Sequence, residues 1–568
     1  MSVRAVLFLA LASACSVGAA DYLVEGVVVD ARSHNPVPHV RVVLGSTKNR
    51  ELKAEMITSE DGRFSFPVSQ PGKYTLQINK PGYPPQFYKQ AAFLGVETAI
   101  VVRDDQDTRH IVFEANRGGA ISGKIKDEDG EPVPRALVDL FRSVVAGGER
   151  KVIGWGEVRA DALGEFRFRN LQRGSYYVSA MGRPWFADTL IQLEKRGERP
   201  VIRRFAEGQT VPMEGQPPPD QPIPFSADPN FRGTAFQTTF YPNANTVEGA
   251  SPVRVEPGAE SEIAIVLPLA KAVSVKGSIS PVGDISGGRV FLMKKVSDKH
   301  ISFLQEWVGK DGQFEFRNVP AGSYEIVASS QANSGAASWS MHQDIEVGAS
   351  DMEVQLRPEA MGSFSGRVVF DGELPPSAAG AFVTLRDEKG AFLRGDADAD
   401  WQFTVNRIPA GRYEVTAGEM TAGGTEYIAA YLEGASGEHL PLMVTMTSGG
   451  AVRQNVALTR AVSVIEGTVE HAGAAQIGAY VLLMPKDTAR LSAYRQDQTD
   501  SDGSYKLARI PPGDYYVIAL SSGEDVVYRD ARVAAVLAKA AQPIHVSGNL
   551  ADLKLDLVNM ASLKLPGL

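Results

Sequence analysis

One phrase recurs five times in this 568-residue chain, and it constrains the fold more than any other feature. It reads DGRFSFPVSQPGKYTLQI from Asp61, LGEFRFRNLQRGSYYVSA from Leu163, DGQFEFRNVPAGSYEIVA from Asp311, DWQFTVNRIPAGRYEVTA from Asp400 and DGSYKLARIPPGDYYVIA from Asp502. Its shared glycines, Gly72, Gly174, Gly322, Gly411 and Gly513, are spaced by 102, 148, 89 and 102 residues. A period of about 100 residues suits one small β-sandwich per copy and not the shorter repeat of a solenoid.

Each position of the phrase has a physical role. Asp-Gly marks a turn whose positive-φ corner suits glycine. Phe314 and Phe316 stand two apart, so both face one side of a strand, toward a core, while Gln313 and Glu315 face water. Val319-Pro320-Ala321-Gly322 then reverses the chain. Tyr324 opens the next strand, where its hydroxyl can bond backbone at the corner, as in the tyrosine corner of immunoglobulin-type sandwiches. Tyr74, Tyr176, Tyr413 and Tyr515 hold the same place after their own glycines. Each copy also begins with an alternating segment around a glycine, at Gly26, Gly123, Gly277, Gly366 and Gly467. Each unit is therefore expected to hold about seven short strands. Helical periodicity is nearly absent, its best stretch being TLIQLEKR from Thr189.

The expected fold is all-β, a tandem array of five Greek-key β-sandwiches after a signal peptide. The boundaries read 1–20 signal peptide, 21–117, 118–271, 272–360, 361–461 and 462–568, with a long Pro-rich insertion at about 181–240 in the second unit. MSVRAVLFLALASACSVGAA carries one cation, a short apolar run and small residues, the layout of a secretory signal. Cleavage after Ala20 competes with a weak lipobox that would place a lipid on Cys15, the single cysteine. No intrachain disulfide can form, and no later run reaches the roughly 18 apolar residues of a membrane span. The net charge of -9 comes with no basic block able to track a phosphate backbone, so nucleic acid is not an expected partner.

The strand with G-x-V, the P-V-P-x-A-x-V-x-L segment (EPVPRALVDLF in copy two) and D-G-x-F-x-F-x-x-[VI]-P-x-G-x-Y together resemble the carboxypeptidase regulatory-like domain, a transthyretin-like sandwich related to Cna-B and starch-binding-like modules. The resemblance extends over almost everything after residue 21. It departs at Leu163, which stands for Asp, at Trp401, which stands for Gly, and in copies three to five, which lack P-V-P. It implies a noncatalytic module, since in the carboxypeptidases the zinc peptidase is a separate domain.

None of the eight histidines has Glu three residues later, as a zinc peptidase of that kind requires, so neither enzyme activity nor a cofactor is expected, and a metallopeptidase with scattered ligands is the remote alternative. Asp396, Asp398 and Asp400 have EF-hand spacing, but Trp401 and Arg407 occupy the places of the needed Gly and Glu. Asp127-Glu128-Asp129-Gly130 and Asp500-Ser501-Asp502-Gly503 read as solvated turns. A Cna-B isopeptide link lacks its Asn opposite Lys124, Lys126 or Lys276. Trp155, Trp307 and Trp401 read as core, whereas Trp185, Phe186 and Trp339 fall in loops after corner strands, where aromatics can stack on sugar rings or plug a sandwich end.

The reading is an exported, noncatalytic binding and spacer protein of the cell envelope or exterior, a semi-rigid rod whose partner is an unidentified protein or glycan at the cell surface. A carbohydrate-binding accessory role is the alternative, and a lipid anchor on Cys15 is the competing form. Mass spectrometry of the mature N-terminus is expected to find Asp21; a lipid on Cys15 would establish a tethered protein instead.

Overall fold

The computed structural model describes residues 22–49, 52–90, 97–104, 108–182, 184, 233–280, 289–296, 299–308, 311–329, 340–357, 360–371, 381–387, 392–417, 420–422, 425–434, 436–459, 463–488 and 493–566. The chain is nearly all-β, and the copies share a core of paired strands to which copies four and five add further pairings. In copy one a three-stranded sheet runs Arg63–Val68, Tyr22–Asp30, Ile111–Ala115. A second sheet runs Lys53–Ile57, Arg41–Ser46, Gly72–Lys80, Tyr83–Phe87, with Ile100–Val102 also paired to the Gly72–Lys80 strand. Copy five repeats the order with Ser504–Ile510, Ser463–His471 and Leu550–Val558, set against Arg495–Gln498, Tyr480–Pro485, Gly513–Leu520 and Gln542–Val546.

In every copy the opening strand lies between the Asp-Gly hairpin strand, antiparallel, and the closing strand, parallel. Strict alternation sends one face of the hairpin strand inward, as in Arg63–Val68, where Phe64, Phe66 and Val68 are buried and the residues between them exposed. Separate apolar clusters fill the five copies, drawn from Val24–Ala115, Ile121–Leu267, Val273–Leu356, Phe364–Leu458 and Ile465–Leu555. Burying such faces against each other is the main favourable term for a chain without disulfides.

The glycine of the opening strand is fixed by what crosses it. Gly26, Gly123, Gly277, Gly366 and Gly467 stand opposite Phe64, Phe166, Phe314, Phe403 and Tyr505 in register. A Cβ would fall 2.1 Å from Phe314 Cζ at Gly277, and 1.8 to 2.1 Å from a carbonyl oxygen of the parallel strand side at Gly26, Gly123, Gly366 and Gly467. The aromatic ring therefore lies over bare backbone, covering a strand that glycine alone leaves unpacked.

Several details depart from the sequence reading. Copies two to five carry a left-handed residue in the hairpin strand, Asn170, Asn318, Arg407 and Arg509 at φ 55 to 60°, each beside a register shift. These are β-bulges that bend the strand toward its corner. Trp401, standing where other copies place glycine, adopts φ 63° and packs its buried ring edge-on against Phe370, centroids 4.7 Å apart. Burial of the indole offsets the left-handed backbone there.

Leu163 is 64% exposed, and the turn is capped two residues earlier by Asp161, whose Oδ1 accepts from the amides of Leu163 and Glu165. Trp155 packs against its core and Trp401 lies inside its own; the Trp307 side chain lies outside the described residues. The described end of the copy-two insertion is structured: Thr234–Phe236 pairs with the start of the strand Leu269–Ile279, which runs from copy two into copy three, and Thr239–Phe240 with the corner strand of copy two. The segment from Thr189 and the Pro-rich run lie outside the described residues.

Copy five contains a helix, Ala531–Ala540, that hydrophobic periodicity did not reveal. Asp530 caps it by accepting from the Arg532 amide, and Val533 and Leu537 bury into a second cluster with Tyr480, Leu482 and Tyr528. Gly467→Ala should destabilise the copy-five sandwich by about 2–4 kcal/mol, because the Leu553 carbonyl on one side and the Tyr505 hydroxyl on the other leave a methyl no room. Chemical denaturation of the full chain followed through a copy-five probe checks this, and an unchanged midpoint would disprove the crossing argument.

Candidate functional site

The five corners share one geometry. Tyr74, Tyr176, Tyr324, Tyr413 and Tyr515 each donate their hydroxyl to the carbonyl four residues back, of Gln70, Gln172, Pro320, Pro409 and Pro511, at 2.7 to 3.0 Å. Gly72, Gly174, Gly322, Gly411 and Gly513 each begin the strand carrying that tyrosine. Burial pushes Tyr176 up to about 12, and Tyr324 higher still. A cation sits over the ring in two copies: Arg142 lies 5.6 Å from the Tyr176 centroid and 4.9 Å from Trp155, and Lys294 lies 4.6 Å from Tyr324. Desolvation lowers the pKa of both cations. The corner residues are thus absorbed in packing and hydrogen bonding. Trp185, Phe186, Trp339 and Cys15 lie outside the described residues.

Copies one, two and five meet around a cleft of about 540 Å³. Its walls include Lys89 and Arg117 from copy one, Arg142 and Arg150 from copy two, and Glu524 and Asp525 from copy five. Opposite charges pair between copies two and five, Arg150 with Asp525 at 3.0 Å and Arg173 with Glu524 at 3.7 Å, while Lys89 pairs with Glu114 within copy one at 3.1 Å. Asp30 lies beside Arg117 at 2.7 Å and also accepts from Tyr83 Oη and the Ser33 amide. Burial alone would raise this carboxyl, but the hydrogen bonds from Arg117, Ser33 and Tyr83 outweigh it and hold it well below the usual range.

A second cavity of about 300 Å³ lies in copy five between the helix Ala531–Ala540 and the strand Tyr480–Pro485. Tyr494, Tyr516 and Tyr528 line it, the first and last stacked at 5.0 Å. Among the described residues no set of three His, Cys, Asp or Glu side chains is gathered as metal ligands would be, and no helix is long and apolar enough to cross a membrane.

The family model of the carboxypeptidase regulatory-like domain matches residues 24–113, the span from the opening strand through the closing strand of copy one. Residues 24–113 are thus similar to a carboxypeptidase regulatory-like domain. No curated protein matches the chain. Among solved structures, the chain is similar to the Bacillus anthracis TIE protein at 13% identity, covering 77% of this chain and 73% of that one, with a TM-score of 0.15. A streptococcal ancillary pilin follows at 14%, 60% and 99%, with 0.18. The minor pilin of Streptococcus agalactiae stands at 12%, 44% and 95%, with 0.21. Scores that low say nothing of what this chain does, and its fold is read from its own strand pairing.

The regulatory-like domain does not stand apart from the far end of the chain. Its segment Thr98–Val102 is covered by residues 498–502 of copy five, which corrects the reading of Asp500-Ser501-Asp502 as a solvated turn. Asp500 Oδ1 accepts from the Ala99 amide at 2.8 Å, Ser501 Oγ from the Val101 amide at 2.9 Å, and Ala99 O from the Ser501 amide at 2.9 Å. Lys73 pairs with Asp500, and Arg103 with Asp502 at 3.2 Å. The two carboxylates are only 9% and 7% exposed. Thr98, Gln498 and Thr499 are buried with them. A straight rod would keep the regulatory-like domain and copy five apart, so the rod expectation is corrected too.

Asp497, beside this contact, is raised to about 6, chiefly by desolvation, although it accepts from the Lys506 amide at 2.6 Å. A carboxyl raised in the fold penalises the folded state fully above about pH 6, and that penalty fades as pH falls toward the ordinary value near 4. Asp497→Asn should therefore stabilise copy five at pH 7 by on the order of 1–2 kcal/mol and remove this group's share of the slope between about pH 7 and 4. Denaturant midpoints measured across that range test it; parallel curves for parent and variant would refute it.

Proposed function

We propose that the chain is an exported, noncatalytic protein of five sandwich units, bounded near 117, 271, 360 and 461, that binds a protein partner at the cell envelope or outside the cell. The observation that carries this reading is the use of the recurrent motif. In all five copies its tyrosine, glycine and aromatic residues are spent on corner, crossing and core, which leaves recognition to surfaces where copies meet or differ. The cleft between copies one, two and five is the surface of this kind that best suits a protein. It presents both signs of charge on three rigid supports, which favours a polar, hydrogen-bonding partner over an apolar ligand. As an assembly of units held against one another, the protein would act as a compact scaffold more than as a spacer.

A carbohydrate-binding role is the second reading, favoured by the copy-five cavity with its three tyrosines. A photo-crosslinking residue placed at Lys89, on the cleft, is expected to capture a protein from the envelope fraction, while one at exposed Phe392 captures none. Equal capture from both sites would remove the cleft from consideration. A glycan-array signal lost on Tyr516→Ala would replace the first reading with the second, and chelator-sensitive peptide release by the purified chain would overturn both.

A further inference from the structure

Four copies build the hairpin turn before their aromatic strand with the same backbone bonds. The amides of Ser59, Asp161, Asp398 and Asp500 donate to the carbonyls of Arg63, Glu165, Gln402 and Ser504. Their carbonyls accept from Gly62, Gly164, Trp401 and Gly503. In three of these turns the first side chain caps its own turn: Ser59 Oγ accepts from the Arg63 amide, Asp161 from Leu163 and Glu165, and Asp398 from Asp400 and Gln402.

Copy five breaks that rule. Asp502 takes over the local duty by accepting from the Ser504 amide at 3.0 Å, and the Asp500 carboxylate points instead into copy one, to the Ala99 amide and Lys73. A carboxylate released from folding its own turn and buried against another unit marks a recognition residue. Its seat is equally particular: alternate amides, Ala99 and Val101, are the donors that an exposed strand leaves free, and the turn meets both with one carboxylate and one hydroxyl. A second seam continues the seat onto copy two, where Arg529 pairs with Glu149 at 3.0 Å, Arg150 with Asp525, and the Arg529 amide donates to Gly148 O.

We infer that copies one and two form a binding seat whose ligand is the Asp500-Ser501-Asp502 face of copy five, and that a second copy of this chain fits the same seat. All contacts named lie on the two faces themselves, and none depends on the chain that connects them. Tethering makes filling of the seat an intramolecular event, so the seat is filled from within at ordinary protein concentrations. When the seat is vacated, exchange with a second chain gives a closed pair in which each copy five fills the other's seat. This goes beyond the proposed function and stands or falls separately from it.

The test uses two full-length chains. One carries Lys73→Glu and Glu149→Arg in the seat; the other carries Asp500→Lys and Arg529→Glu in the plug. Within either chain the altered faces repel, so each alone should be monomeric with a larger radius of gyration by small-angle scattering. Mixed one to one, the two altered faces match, as do the two native faces, and light scattering should read a dimer. A chain with all four substitutions should return to the parent's monomeric mass and radius. A mixture that stays monomeric overturns the inference, as do single-face variants as compact as the parent. Should a single-face variant fail to fold, the four-substitution chain decides: a radius well above the parent's overturns it.

Discussion

The crossing of an aromatic ring over a glycine in the opening strand is the contact on which each sandwich depends. The opening strand pairs with both the hairpin strand and the closing strand, so it joins the beginning of each copy to its end. Glycine lets the closing strand's carbonyl approach, and the ring covers the gap that glycine leaves. The strands then have one register, since a shift by a single residue would carry Phe64 and its counterparts to the solvent face. The tyrosine corner adds a second fixed point where the chain passes to the other sheet.

Much of this is legible in sequence because it rests on local rules. Alternation at Phe314 and Phe316, the Pro-Gly corner and the tyrosine two residues on are each dictated by strand pleat and turn chemistry. The bulges at Arg407 and Arg509 were hidden because arginine carries no signal for left-handed backbone, whereas Asn170 and Asn318, of a residue type that tolerates it, were an available clue. The helix Ala531–Ala540 escaped because alanine fills most of one side, leaving Val533 and Leu537 as its buried residues. Its N-cap, Asp530, was the available clue.

The contact between the ends was not legible at all. Asp500-Ser501-Asp502-Gly503 has the composition of a solvated turn, and local rules place it correctly within copy five. What buries it is Thr98–Val102, about 400 residues earlier in sequence. Copy four has the same pair of carboxylates, Asp398 and Asp400, yet there the first caps its own turn, while in copy five Asp500 turns to Ala99 and Lys73. Differences among repeats therefore say more about recognition than the shared motif does.

The seam between the first and last copies also gives the molecule a mechanical character. A pull applied between its two ends reaches that seam first, because the ends are joined there before the load can enter copies three and four. Those middle sandwiches carry little tension until the buried carboxylates of Asp500 and Asp502 are drawn away from Lys73 and Arg103. Once the seam parts, the chain gains length with every core still folded, so it would behave as a tether with a built-in slack release.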